Sequence, residues 1–348
     1  MFDITLPPDP QVSVLLAVYN GRPYLEAALR SIMDQSLKEI EIVVVDDAST
    51  DDTPAVLAQL AAEDPRIRVE TLSQNCGPAR ARNWALDLVR APLVAIMDAD
   101  DIAYPERLAV QKRFMDAHPD IILCGTSIRQ IDADGTHIRT SRRPRDAVCC
   151  RWLSRFAPPL MHPTYMFRYT GALMPLPKYN PDFPVAQDYE FLIRLLGHGD
   201  VVGLGDVLLD YRVHGTSITG KNWSLQKQKA REISMDYCEA ELSKSVRDGL
   251  NPFWNAYFLG DITPKTDIFS GLRRMLTEDL RRYPDHRAWL QRQTAQIALA
   301  ALKRGGCTKG QILRAFATQG RDFLPALAMR ALEIKRVLPA ALRSDSNL

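Results

Sequence analysis

The chain has 348 residues, 46% hydrophobic and 25% charged, enough apolar side chain to bury a sizeable core in one large domain or two. Its 44 Lys and Arg nearly cancel 42 Asp and Glu, so no global field argues for nucleic acid as a partner. The six cysteines form no CxxC pair, and adjacent Cys149 and Cys150 are poorly placed to bridge each other, so a reduced, cytoplasmic setting is expected.

The N-terminus, MFDITLPPDP, has neither the basic nor the apolar region of a secretory signal. VSVLLAV (12–18) then predicts a buried strand, and GRPYLEAALRSIMDQS a helix carrying Leu25, Leu29, Ile32 and Met33 on one stripe. EIEIVVVDD (39–47) is a second strand. DDTPAVLAQLAAED (51–64) is a helix with Pro54 in its first turn. RIRVETL (66–72), GPARARNWALDLVR (77–90) and PLVAIMD (92–98) continue the alternation as strand, helix and strand. Such βαβ units predict an α/β fold with a mostly parallel, Rossmann-like sheet flanked by helices.

Beyond a helix near 104–117, DIILCGTSIRQID (120–132) reads as a strand, and DADGTHIRTSR as a turn into an extended segment. Residues 141–185, rich in Pro and Arg, read as loops around a strand at TYMFR. QDYEFLIRLLGHG (187–199) predicts a helix and LLDYRVH (208–214) a short strand. From about 222 helical patterns take over, placing a boundary near 220: a domain over 1–220 and a helical extension over 221–348. No window reaches 18 uncharged apolar residues, so no membrane span is expected. Residues 303–348 hold nine Lys and Arg against three acids, and DFLPALAMRALEIKRVLPAAL can align Leu324, Leu327, Ala331, Ile334 and Leu338 on one face. Such a basic amphipathic helix suits peripheral contact with an anionic membrane, or packing against the rest of the chain or a second subunit. The pattern does not specify an oligomeric state.

Two strands end in acids: Asp46, Asp47, Asp51 and Asp52 in VVVDDASTDD, and Asp98, Asp100 and Asp101 in IMDADD. Ligands of open parallel sheets bind at the carboxyl ends of the strands, so both clusters are expected along one crevice. Asp98 and Asp100, two residues apart in an extended segment, address the same side. Like charges that close call for a cation, and carboxylate oxygens suit Mg²⁺ or Mn²⁺ shared with substrate phosphates. The alternative is helix capping, which accounts for Asp51 or Asp52 before the second helix but needs only one acid where DADD has three.

The ordered runs VSVLLAVYNGRPYLEAALRSIMDQSLKEIEIVVVDDASTDDT, NCGPARARNWAL, APLVAIMDADDIAYPERL, HPTYMFR, AQDYEFLIRL and YRVHGTSIT resemble the inverting, family-2 glycosyltransferases of the GT-A fold over about residues 10–220. The resemblance implies transfer of a sugar from a nucleotide-diphosphate donor, UDP favoured, to a hydroxyl of a saccharide or lipid-linked saccharide acceptor, as in bacterial polysaccharide or glycolipid synthesis. It places Tyr19 against the nucleotide base, Asp46 hydrogen-bonded to that base with Asp47 as second choice, and Arg82 near a phosphate. It further assigns Asp98 and Asp100 to the ribose and metal region, Asp100 or Asp101 and His214 to the Mn²⁺ or Mg²⁺, and Asp188 to the catalytic base. His162 falls on the acceptor side by the same analogy. Gln187 stands where the family pattern has an acid before the base.

Two other readings use the same acids. In a phosphohydrolase with an Asp nucleophile, Asp98 would be phosphorylated and Asp100 would act as acid; in a phospho-receiver module, VVVDD would accept the phosphoryl group. The first motif usually sits on the first strand rather than the fourth, and the second leaves DADD and QDYEFLIRL unexplained.

Overall fold

The computed structural model describes residues 9–169, 177–215, 223–262, 266–318, 320 and 323. The chain divides into two compact units, 1–221 and 222–348.

In the first unit, β1 (Val12–Val18), β2 (Ile40–Asp46), β3 (Ile67–Thr71) and β4 (Leu93–Met97) pair in parallel in the order β3-β2-β1-β4. β2 and β4 are buried at every position and β1 at all but one, as strands covered on both faces must be. Order reverses between β1 and β4, so a crevice opens at their carboxyl ends. The registers Val18↔Asp46 and Leu16↔Met97 bring the two acid clusters to that edge.

Helix α1 (Leu25–Met33) buries Leu25, Ala28, Leu29 and Ile32, positions that share one face at helical spacing. Helix α2 (Thr53–Glu63) buries Leu57 and Leu60 and has Pro54 in its first turn, where the missing N–H costs nothing. Helix α3 (Pro78–Leu86) starts after Gly77, whose φ of 86° lies in the left-handed region that a side chain would disfavour.

Past the two-residue β5 (Ile102–Ala103) and α4 (Arg107–Ala117), the sheet changes direction. The short β8 (Met166–Arg168) runs antiparallel between β4 and β6 (Ile121–Ile131), and β6 pairs in parallel with β9 (Asp200–Arg212). β7 (His137–Ser141) pairs with β6, and β5 closes the edge against β9. Two elements differ from the sequence expectation. β9 begins at Asp200, not near 208, because Gly203 and Gly205, which read as breakers, sit within a strand whose neighbours lie too close for side chains. The 141–185 stretch contains a helix, α5 (Ala147–Leu153), capped by Asp146 Oδ1, which accepts the Cys149 amide. Helix α6 (Gln187–Leu195) completes the unit.

The second unit is helical: α7 (Trp223–Glu241), α8 (Lys244–Trp254) running into a π-helical turn at Asn255–Leu259, α9 (Phe269–Arg282), α10 (Arg287–Arg304) and α11 (Lys309–Thr318). Helices α8 and α9 cross at Gly249 and Gly271, where a Cβ on Gly271 would stand 2.1 Å from the Gly249 carbonyl oxygen. Among the described residues no helix is long and apolar enough to cross a membrane. The amphipathic segment expected over 322–342 lies outside the described residues, apart from Phe323.

Candidate active site

The loops leaving β1 and β2 are stitched together before any ligand is considered. Asn20 and Ala48 adopt left-handed φ values of 52° and 60°, turning both loops sharply. The Asn20 and Gly21 amides donate to Ser49 Oγ and Thr53 Oγ1, both at 2.9 Å, and Asn20 Oδ1 accepts the Thr50 amide at 2.8 Å. Asp51 serves the start of α2: Oδ1 accepts the Thr53 amide and Oδ2 the Arg22 amide, and these bonds outweigh burial in lowering its pKa. Asp46 is wholly buried; Oδ1 accepts the Ser49 amide at 3.0 Å and Oδ2 has no partner among the described residues. Asp47 is spent on structure, its two oxygens accepting the Cys76 and Gly77 amides at 2.8 and 2.9 Å and so fixing the entry to α3. Tyr19, one residue past β1, is 49% exposed at the mouth of the crevice.

At the end of β4 the acids face side chains instead. Asp98 Oδ1 accepts from Arg82 at 3.2 Å and lies 3.8 Å from His162 Nδ1. Burial works against the Asp98 charge, but His162 and Arg82 outweigh it and hold the carboxyl well below the usual range. Arg82 also lies over the Tyr179 ring, whose hydroxyl bonds His162 Nε2 at 2.8 Å. Asp100 Oδ2 meets His214 Nε2 at 2.9 Å. Burial and the neighbouring Asp98 charge raise the Asp100 pKa against the pull of His214.

Asp101 does not come to the open face. It is fully buried, Oδ1 accepts the Arg212 amide at 2.8 Å, and burial followed by the charges of Asp100 and Asp98 pushes its pKa well up. Below it, buried Arg107 donates to the Ile96 carbonyl at 2.7 Å; burial lowers its pKa to about 10, against the field of Asp101. Arg212 clamps the loop from the other side, donating to the carbonyls of Asp100, Asp132 and Ala133 and stacking its guanidinium 4.6 Å from the Tyr24 ring centroid.

Asp188 sits in the first turn of α6, two residues past Ala186, which has a left-handed φ of 55°. It is half-buried, and no hydrogen bond or ion pair engages its carboxylate among the described residues. Burial raises the pKa of Tyr179 and Tyr211, and the negative charges of both Asp98 and Asp188 raise it further, so both hydroxyls lie within the fields of the β4 acids and of Asp188.

The structure therefore pairs Arg82 with Asp98 and Asp100 with His214 after β4, while Asp188 acts on the same tyrosines as Asp98, and Asp46 and Tyr19 lie at the ends of β2 and β1. It turns Asp47 and Asp101 into the scaffold. Asp98 and Asp100 retain 28% and 33% side-chain exposure, so a divalent cation could reach their oxygens and relieve the repulsion that raises Asp100; carboxylate oxygens suit Mn²⁺ or Mg²⁺. Tyr24, Arg107 and Arg212 fall within the family-like runs and Tyr179 outside them, but none carries a role of its own in the sequence. Their roles arise from contacts between distant segments, such as Asn83 bonding both backbone groups of Tyr179 at 2.8 and 2.7 Å.

Residues 13–174 match the family described as Glycosyl transferase family 2. A putative teichuronic acid biosynthesis glycosyltransferase, TuaG of Bacillus subtilis, is 30% identical over 221 residues, 63% of this chain and 85% of that protein. The amylovoran biosynthesis glycosyltransferase AmsE of Erwinia amylovora is 29% identical over 224 residues, 63% of this chain and 83% of that protein. Among solved structures, S. aureus TarS in complex with UDP-GlcNAc superposes with a TM-score of 0.55 at 18% identity, covering 93% of this chain and 92% of that one, which shows a shared GT-A fold. With that fold, the family match and these relatives in polysaccharide biosynthesis, the chain belongs to glycosyl transferase family 2 and is a nucleotide-sugar-dependent glycosyltransferase.

Proposed function

We propose that the protein transfers a sugar from a UDP-sugar, with inversion and with a divalent metal, to a hydroxyl of a saccharide or lipid-linked saccharide, using Asp188 as general base at a cytoplasmic site. The observation that carries this reading is the Asp188 carboxylate, half-buried and unengaged among the described residues, whose charge acts on the same two tyrosines as that of Asp98. An unengaged acid at a helix start supports a role in proton transfer rather than in stability.

Asp46 Oδ2, buried and without a partner among the described residues, offers one acceptor to one base N–H, as uracil presents. Tyr19 supplies an exposed ring to lie against that base. Asp98, kept ionised by Arg82 and His162, is an acceptor for ribose hydroxyls. Asp100 and His214 would hold Mn²⁺ or Mg²⁺, which when bound offsets charge growing on the departing diphosphate. Arg82, already turned to Asp98, has donors left to reach a phosphate oxygen. Asp188 takes the acceptor proton as its oxygen attacks the anomeric carbon from the face opposite the leaving group.

Calorimetric titration of the full chain with UDP and with GDP, in Mn²⁺ and then in EDTA, tests the donor half of this reading. UDP is expected to bind tighter than GDP and to weaken at least about tenfold in EDTA, as loss of the metal's charge would cause. Equal affinity in EDTA, or a preference for GDP, would overturn it.

A further inference from the structure

His162 opens the short helical turn that leads into β8, and the family resemblance expects it on the acceptor side. Its contacts lie instead with the acids that follow β4. The ring is buried with a different group at each nitrogen: Nδ1 is 3.8 Å from Asp98 Oδ1, and Nε2 is 2.8 Å from the Tyr179 hydroxyl. Arg82 approaches the same Asp98 Oδ1 at 3.2 Å, and no described residue hydrogen-bonds Oδ2. Both partners of Asp98 thus crowd one oxygen and leave the other to a ligand.

Tyr179, outside the family-like runs, is pinned from several directions. Asn83, next to Arg82 on α3, accepts the Tyr179 amide at 2.7 Å and donates to its carbonyl at 2.8 Å. The preceding Lys178 is bonded on both sides, its ammonium to Asp87 and its carbonyl to Arg194 of α6. The buried Tyr179 ring stacks on Phe191 of α6, with centroids 4.2 Å apart and planes 17° from parallel, and the Arg82 guanidinium lies 5.6 Å from its centroid. A phenylalanine would make the same stack. The hydroxyl is the part that packing does not require, and among the described residues His162 is its one hydrogen-bond partner.

That bond decides where the His162 proton sits. A buried phenol needs an acceptor for its O–H, and His162 Nε2 is the one within reach. An imidazole that accepts at Nε2 carries its proton on Nδ1, the atom turned to Asp98. The opposite tautomer would set the Nδ1 lone pair against a carboxylate. Partners one step removed from a ligand-binding group commonly fix its orientation in this way.

We propose that Tyr179 is a positioning residue for the donor: through His162, held with its proton on Nδ1, it secures Asp98 by Oδ1 and reserves Oδ2 for the donor ribose. His162 then belongs to the donor half of the site. The use of this relay rests on the reading of Asp98 as a ribose contact.

Histidine-selective ¹⁵N NMR of the full chain tests the relay without any ligand. The chain has six histidines, and His162→Asn identifies the His162 signals by their loss. The expected result is a proton on His162 Nδ1, with an Nε2 resonance that moves in Tyr179→Phe while those of exposed His118 and His137 stay in place. A proton on Nε2, or an Nε2 resonance that Tyr179→Phe leaves unmoved, would overturn the relay.

Calorimetry with UDP in Mn²⁺ then tests its use. Tyr179→Phe, which keeps the ring stack, should weaken UDP binding about threefold to tenfold, the worth of one hydrogen bond. His162→Leu should weaken it at least as much, and His162→Asn, whose amide can stand in for the Nδ1 donor, should retain part of the loss. With Asp98→Asn already present, Tyr179→Phe should add almost nothing, because the two act as one unit. No loss in Tyr179→Phe, or an equal loss with and without Asp98→Asn, would contradict the positioning role and leave Tyr179 as packing alone. If Asp98→Asn by itself bound UDP as the wild type does, the donor reading of Asp98 would fail, while the ligand-free NMR result would still judge the relay separately.

Discussion

The acid clusters at the ends of β2 and β4 look alike in sequence and are opposites in structure. At β2, Asp46 Oδ1 and both Asp47 oxygens accept main-chain amides, and their product is the shape of two loops. At β4, Asp98 and Asp100 contact Arg82, His162 and His214, all side chains that can move or exchange partners, and both stay partly exposed. Burial alone does not separate the two clusters, since Asp46 and Asp101 are both fully buried. The kind of partner does: an acid held by backbone amides builds a scaffold, and an acid held by titratable side chains beside open space is available to a ligand.

The comparison breaks if the β4 acids prove as structural as Asp47. Asp100→Asn should weaken UDP binding in Mn²⁺ about 100-fold or more by calorimetry, because even partners one shell removed from a metal cost 10–100-fold. Its melting temperature should hold or rise, since the raised Asp100 pKa means that its charge costs stability. Asp47→Asn should do the reverse. An amide can accept from only one of the Cys76 and Gly77 N–H groups, so chemical denaturation should show a loss of about 1–3 kcal/mol while the metal dependence of UDP binding persists.

Asp101 sharpens the contrast, being in the β4 cluster by sequence and in the scaffold by position. Its folded pKa is raised, so the native state keeps its proton longer than the unfolded chain does. Its contribution to stability is therefore lost as pH rises from the unfolded value toward the raised folded one. Asp101→Asn, which preserves an acceptor for the Arg212 amide, should flatten this part of the pH profile: similar to wild type near pH 4, more stable at pH 8. Thermal melts across that range check it, and parallel profiles would remove the buried charge from the account.

How much could be read in advance followed from how local the cause was. β1, β2 and β4 were legible because strands buried on both faces are continuous apolar runs, and the chemistry-bearing acids follow them directly. β9 was foreshortened because Gly203 and Gly205 signal a break unless the segment at 143–145, lying against them, is known. α5 was hidden in a stretch whose Pro and Arg content reads as loop. At the site, Asp98, Asp100 and His214 follow from family motifs, but the different fates of Asp100 and Asp101 do not. They depend on the Arg212 amide, 111 residues away in sequence, arriving at one carboxylate and His214 at the other.

Asp188, held by no partner among the described residues, is proposed as the base of the reaction. Steady-state turnover of Asp188→Asn, with UDP-GlcNAc as the first donor and UDP affinity measured alongside, tests it most directly. The account predicts a fall in kcat of about 10² to 10⁴ with UDP affinity unchanged, the range that general-base help supplies. A variant that turns over at the wild-type rate would contradict it.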